Sequence, residues 1–255
     1  MSVRAAVVIA RESMTLLRRD RVFVPVLIAT VLISAFAQIA SNWTIEGFEK
    51  VLYDIGSIGL TLTGSFVALF WGAKSLVDSR QDGSVEVRLA APVGRASFII
   101  GKYLGLAVSL TLIAVFMVCI WQLCLLFFGF GWLTHDRLVA FAFMLVAWLV
   151  LGALTTLLAT FCGQGVALFA GVSLWFAGMS TALVYNTLPG DSAPALTRAV
   201  GAIARVWDLQ QFNLLSEATA VANASGTLVW RGAYGALLIL VFITVASLVF
   251  SRRDV

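Results

Sequence analysis

The chain has 255 residues, of which 61% are apolar and 12% are charged, and its formal net charge is +4. A soluble domain carries about twice that share of charged residues, which excludes a soluble globular protein. Apolar runs of roughly 20 residues match the hydrocarbon core of a bilayer and lack the alternation of β-barrel strands. The composition therefore predicts an all-α membrane protein, with a single membrane domain over residues 1–255 and no separate soluble domain.

The first predicted element is an amphipathic helix over residues 2–20. Its apolar residues recur at helical spacing, and Arg4, Arg11 and Arg18 form a flank beside them. A helix of this kind lies in the membrane surface with its arginines at the lipid headgroups. A charged N-terminal tail without helical structure is the alternative.

Membrane-spanning runs follow this element. The six transmembrane helices are predicted at about 22–40, 55–73, 103–128, 138–161, 166–188 and 229–250.

The distribution of the 17 Lys and Arg residues predicts the orientation of these spans. Most of them lie on the side that holds both termini, and such a bias marks the cytoplasmic side. Basic residues at span ends set orientation, so the positive charge does not indicate nucleic-acid binding. The basic residues predicted on the outer side are Lys50, Arg137, Arg198, Arg205 and Arg231.

Tryptophans at the span ends are expected to anchor the helices at the membrane surface. Trp43, Trp132 and Trp230 are predicted at outer ends and Trp71 at an inner end.

A polar segment, Lys74–Lys102, interrupts the apolar runs after the second span. It mixes charges of both signs with apolar residues, so it is expected to face water on the cytoplasmic side. Such a pattern suits a helix that docks in a groove of a soluble protein, and equally an ordinary solvated loop. Its end, Gly101-Lys102, lacks the spacing of a phosphate-binding loop, so any ATP must be bound by another polypeptide.

The chain has few residues of the types that support catalysis or metal binding. Its one histidine, His135, is predicted in a short outer loop and not on a span facing a serine. Three cysteines show neither metal-ligand nor disulfide spacing. The spans contain almost no charges, which argues against ion-coupled transport. We therefore predict no catalytic residues and no metal site.

A long outer segment, residues 189–228, precedes the last span. Apolar residues between Leu196 and Trp207 keep helical spacing, with Arg198 and Arg205 off that stripe. This pattern predicts an amphipathic helix that rests on the membrane or caps the bundle. A plain surface loop is the alternative.

Several short motifs resemble those of the ABC-2 type transporter permeases. They are Asp82–Glu86, Leu89–Arg95, Gly101–Gly105 and the C-terminal Phe250–Asp254, and the layout of the whole chain is also similar. Permeases of copper-enzyme maturation and gliding systems are the most similar. Departures from the family pattern are Ser84 in place of Thr, Gly94 in place of Ser, and Leu214 in place of Pro.

The resemblance implies the membrane permease subunit of an ATP-binding cassette transporter, an exporter of the bacterial cytoplasmic membrane. Such permeases pair as homodimers or heterodimers in the bilayer. The chain itself would hold no cofactor, because a separate cytoplasmic ATPase binds ATP and Mg and docks on the loop between the second and third spans. The coupling residues implied are Asp78, Asp82, Gly83, Ser84, Glu86, Arg88, Pro92 and Arg95.

The resemblance also implies that the second and fifth spans rearrange at the dimer interface. Hydroxyl side chains on these spans are candidates to line a transport pathway, although each could instead bond to a backbone carbonyl of its own helix. The candidates are Thr61, Thr63, Ser65, Ser173 and Ser180.

A second function from a different class stays open. The chain could be a non-transporting, mechanotransmitting or signalling subunit, in which ATPase motion acts on an extracytoplasmic partner through residues 189–228. A nearly uncharged bundle favours amphipathic or lipid-linked cargo over a small ion. An intramembrane enzyme is disfavoured by the residue inventory.

Overall fold

A computed structural model describes residues 23–41, 48–81, 95–127, 131–181, 205–214 and 225–252, together with Val8, Arg11, Thr15 and Gly129. These residues form helices and connections without a strand. The helices are α1 Phe23–Ser41, α2 Phe48–Gln81, α3 Arg95–Phe127, α4 His135–Phe161, α5 Gln164–Met179 and α6 Ser225–Arg252, and a 3-10 turn spans Gln210–Phe212.

Five of the helices, α1, α2, α3, α4 and α6, are long and apolar enough to cross a membrane. This confirms an all-α protein of the multi-pass class. The fifth predicted span corresponds to α5, which has 16 residues and is shorter than a full span in the part described. Residues 182–188 of that span lie outside the described residues, so the count of six spans and the orientation stay predictions.

Helices α2 and α3 extend well beyond the predicted spans. α2 continues to Gln81 and α3 already begins at Arg95, so both described ends of the polar segment are helical. Leu76 and Phe98 are fully buried and Lys102 is 3% exposed. One face of each end therefore packs inside the bundle, while Lys74 and Asp78 are half-buried. Hydropathy could not show this, because polar residues in the segment conceal a continued packing face. The position of the segment on the cytoplasmic side stays a prediction.

Helix α2 lies at the centre of the bundle, in contact with α1, α3, α4 and α5. Two of its glycines lie against the tryptophan rings of neighbouring helices. A Cβ atom at Gly56 would lie 1.9 Å from the Trp121 ring, and one at Gly64 would lie 1.9 Å from the Trp148 ring. Glycine thus lets α3 and α4 approach the backbone of α2, as small residues do at membrane helix interfaces.

Tryptophan burial separates core residues from surface residues. Trp132 and Trp230 are 77% and 78% exposed, as expected of interface anchors. Trp71 is only 1% exposed, so its predicted role as an anchor at the membrane surface is wrong. It lies on the part of α2 that packs inside the bundle, where the neighbouring helices replace lipid and water.

The structure describes three residues of the predicted N-terminal helix. Val8, Arg11 and Thr15 are helical and exposed, and Thr15 Oγ1 donates a hydrogen bond to the Arg11 carbonyl oxygen at 2.9 Å. The other residues of 2–20 lie outside the described residues. The interfacial helix therefore stays a prediction.

Candidate functional site

The predicted coupling residues fall at one end of the bundle, which we call the loop end: it is where α2 ends and α3 begins. Asp78 lies in the last turn of α2, and Arg95 is the first residue of α3. The other six coupling residues lie at positions 82–92, outside the described residues. The structure thus describes the two helices on either side of this connection, and residues 82–94 of the connection lie outside the described residues.

Aromatic contacts join the loop end to α6. The rings of Phe98 on α3 and Phe250 on α6 stack with centroids 5.8 Å apart, and both side chains are fully buried. The ammonium group of Lys102 lies 5.9 Å from the centroid of the Phe98 ring, within reach of a cation–π attraction. These contacts place the start of α3 directly against the end of α6.

A small cavity lies deeper in the bundle, between α2, α4, α5 and residues 209–213. Its volume is about 20 Å³, enough for one water molecule. Two of the predicted pathway residues, Thr61 and Ser65, line it, and Thr61 Oγ1 donates to Met144 Sδ at 3.4 Å. Its remaining lining residues are Ala147, Leu151, Trp175, Met179, Leu209, Phe212 and Asn213.

The other three pathway candidates do not line this cavity. Thr63 donates to the Gly59 carbonyl oxygen at 2.9 Å, Ser173 to Phe169 at 3.0 Å and Ser180 to Phe176 at 2.8 Å. These are bonds within one helix, the alternative that the sequence left open. Ser173 is also exposed on the outward face of α5. The structure therefore brings together only Thr61 and Ser65, and a role in transport stays a prediction for all five.

One wall of the cavity belongs to a short stretch, residues 205–214, which we call the insert. Its 3-10 turn packs against α4, and its Trp207 ring N–H donates a hydrogen bond to the Leu174 carbonyl oxygen of α5. Leu209 and Phe212 are buried, and the Phe212 ring stacks on Tyr234 of α6 with centroids 6.2 Å apart. Residues 196–204 of the predicted outer helix lie outside the described residues. The predicted outer helix therefore stays a prediction.

Asp208 and Trp207 are functional candidates that the sequence did not single out. Asp208 Oδ1 accepts hydrogen bonds from Thr181 Oγ1 at 2.7 Å and from the Gln210 backbone N–H at 3.0 Å. The Trp207 ring N–H donates to the Leu174 carbonyl oxygen at 2.6 Å. The only sequence signal was an Asp two residues before Gln210, a spacing that favours an Asx turn. It does not reveal a partner 27 residues earlier in the chain.

These features can now be compared with known proteins. A family model described as "ABC-2 family transporter protein" matches residues 7–255. None of the curated proteins compared with the chain matches it.

The chain belongs to the ABC-2 transporter family, which confirms the resemblance in its short motifs. It is a permease subunit of an ABC transporter and an integral, multi-pass membrane protein. Membership also implies a partner ATP-binding subunit and a lipid bilayer around the helices. Members of this family are membrane components for transport and are not generally catalytic themselves.

Proposed function

We propose that this chain is the permease subunit of an ATP-driven exporter of the bacterial cytoplasmic membrane. A separate ATPase, which binds ATP and Mg, docks on the connection between α2 and α3. In this proposal the fifth helix completes six spans, both termini are cytoplasmic, and a second copy or a paralogue completes the transporter. The uncharged bundle favours amphipathic or lipid-linked cargo.

The observation that carries the proposal is the length of α2 and α3. They have 34 and 33 residues, so each is about 50 Å long at 1.5 Å per residue. The hydrocarbon core is about 30 Å thick, so each helix is about 20 Å longer than a straight span needs. Both charged residues of α3 lie at the loop end, and the charged residues of α2 lie near its two ends with an uncharged stretch between Asp54 and Lys74. This distribution supports projection of the charged ends out of the hydrocarbon.

Two rigid helices that end at one docking segment suit the transmission of force. Closure of two ATPases around ATP would displace residues 82–94, and the ends of α2 and α3 would follow. The stacked Phe98 and Phe250 rings would carry the motion into α6, and the contact of α2 with α4 would carry it into the bundle. The two arrangements of the dimer interface would be the states that nucleotide binding selects.

Purification of the chain with its partners from its native membrane tests the proposal. An ATPase should co-purify, and Glu86→Ala combined with Arg88→Ala should remove it and abolish ATP-dependent activity. Lys50→Ala combined with Asp54→Ala is the matched control, because it removes one charge of each sign near the opposite end of α2. Retention of the ATPase and of activity by the Glu86/Arg88 variant would refute docking at this connection.

A second candidate is the mechanotransmitting subunit that acts on an extracytoplasmic partner. It is favoured by the insert, because α5 and α6 both hold this part of the outer segment and would move it. Membrane vesicles separate the two functions. ATP-dependent flux of cargo supports the exporter, whereas ATP-dependent binding of an outer partner without flux supports mechanotransmission.

A further inference from the structure

Three helices meet at the end of the bundle opposite the loop end, and they fix the position of one arginine. The guanidinium carbon of Arg137, in the first turn of α4, lies 3.3 Å from the centroid of the Tyr53 ring on α2. Trp121 on α3 packs edge-on against the same tyrosine, with centroids 6.4 Å apart. The guanidinium group must lie along the Tyr53 ring, because a nitrogen atom turned toward the ring would clash with it.

The connection between α3 and α4 is held at the same end by Gln122. Its amide nitrogen donates to the Gly131 carbonyl oxygen at 3.4 Å, and its amide oxygen accepts from the Leu133 backbone N–H at 3.1 Å. The residue between them, Trp132, is nevertheless 77% exposed. An exposed tryptophan on a fixed connection, close in the chain to a basic residue, is typical of the headgroup region of a bilayer.

Stacking leaves the hydrogen-bond donors of Arg137 available. The N–H groups of a guanidinium lie in its own plane, so a ring packed against its face does not engage them. Among the described residues, none accepts a hydrogen bond from Arg137 or forms an ion pair with it. The carboxylate of Asp136 lies instead 3.8 Å from the neighbouring His135. The half-buried Arg137 is therefore a positioned cation that can take an anion from outside the chain.

The place of Arg137 along α4 sets its depth in the bilayer. From Leu138 to Phe161 the helix has no charged residue. This stretch is about 36 Å long at 1.5 Å per residue, and the hydrocarbon core is about 30 Å thick. Arg137 therefore lies at the border between hydrocarbon and headgroups, where the abundant anion is the phosphate of a phospholipid.

We propose that the start of α4 binds one phospholipid through its phosphate, with Arg137 as the ligand and Tyr53 as the residue that positions it. Two parallel N–H groups of a guanidinium match two phosphate oxygens, which the point charge of a lysine does not. The acyl chains would lie along the apolar face of α4 that begins with the exposed Leu138. The site needs only the bilayer, so it is independent of cargo, of transport direction and of ATPase docking.

Titration of the purified chain in detergent with phosphatidylglycerol, followed by native mass spectrometry, measures the affinity of the site. Arg137→Gln should weaken one phosphatidylglycerol site by about tenfold, because it removes hydrogen bonds to a charged group. Lys50→Gln is the matched control, because it removes an exposed cation at the same end of the bundle. It should change the affinity by less than about twofold. Equal effects of the two substitutions would overturn the site.

Two further variants separate a positioned guanidinium from positive charge alone. Arg137→Lys keeps the charge and loses the paired donors, and Tyr53→Leu keeps the guanidinium and removes the ring beneath it. Each should weaken binding by about threefold, and unchanged affinity in both would refute the positioned site. Thermal unfolding without added lipid checks the fold, and if Tyr53→Leu lowers the midpoint, the Arg137→Lys result decides alone.

Two other ligands test whether the phosphate must belong to a lipid. Diacylglycerol with the same acyl chains lacks the phosphate and should bind at least about tenfold more weakly than phosphatidylglycerol. Inorganic phosphate lacks the acyl chains and should not displace the lipid. Equal binding of diacylglycerol would overturn the role of the phosphate, and displacement by inorganic phosphate would overturn a phospholipid as the ligand.

Discussion

Two helix contacts in this protein are built in opposite ways. Between α2 and α4 the Trp148 ring packs onto Gly64, and the ring N–H groups of Trp148 and Trp71 are buried without a hydrogen-bond partner. Between α5 and α6 lies the insert, which is held by hydrogen bonds to both helices.

The difference indicates which contact can separate. When a close-packed contact opens, it loses the dispersion energy of its whole interface at once. This packing energy is a main stabilising contribution between helices in lipid. Hydrogen bonds at a helix end can be exchanged for water one by one. We therefore expect α2 and α4 to form the more rigid contact and the insert to separate from its neighbours more easily.

The largest effect is expected from Gly64→Ala. The added Cβ would lie 1.9 Å from the Trp148 ring, so α2 and α4 must separate. Overpacking on this scale costs about 3 kcal/mol of the free energy of unfolding, measurable as a lower midpoint of thermal unfolding in detergent.

Gly232→Ala is the matched control on α6, because among the described residues no atom beyond its own stretch of helix lies within 4 Å of its Cβ position. It should leave the midpoint unchanged or raise it, since Ala favours a helix by about 1 kcal/mol over Gly. Similar midpoints for the two variants would contradict the description of α2 and α4 as the rigid contact.

An intermediate effect is expected from the hydrogen bond between Thr181 and Asp208. Thr181→Val, Asp208→Asn and the double variant form a double-mutant cycle, and the coupling energy should be about 1.5 kcal/mol because the acceptor is a carboxylate. Thermal unfolding of the four proteins measures it. For the control pair Thr111→Val and Asp208→Asn, the two changes in the free energy of unfolding should instead be additive, because the Thr111 hydroxyl bonds to Ala107 of its own helix. Equal coupling energies in both pairs would contradict a stabilising bond between Thr181 and Asp208.

The smallest effect is expected from Tyr103→Phe. The Tyr103 hydroxyl donates to the Leu149 carbonyl oxygen at 3.2 Å and so links α3 to α4. Hydrogen bonds between membrane helices contribute about 0.6 kcal/mol on average. A decrease of more than about 2 kcal/mol in the free energy of unfolding would show that the close-packed helices also depend on hydrogen bonds. The difference between these helices and the insert would then be smaller.

The sequence predicted the residue types that line the cavity but not which of the candidate residues lie there. Thr61 and Ser65 were expected to face a pathway because they are hydroxyl residues on the second span, and both line the cavity. Ser173 satisfied the same criterion and lies on the outward face of α5. Residue type alone could not separate them, because which face of a helix turns inward depends on its neighbours.

The sequence by itself determined the class of this protein and its family. Runs of apolar residues specify membrane helices because the bilayer leaves backbone groups no other partner, and the short polar motifs carry the family resemblance. Only the tertiary structure decided that Trp71 is a core residue, that Leu76 and Phe98 at the ends of the polar segment pack inside the bundle, and that Asp208 reaches Thr181. Each of these depends on a contact between residues distant in the chain, which hydropathy and local spacing do not encode.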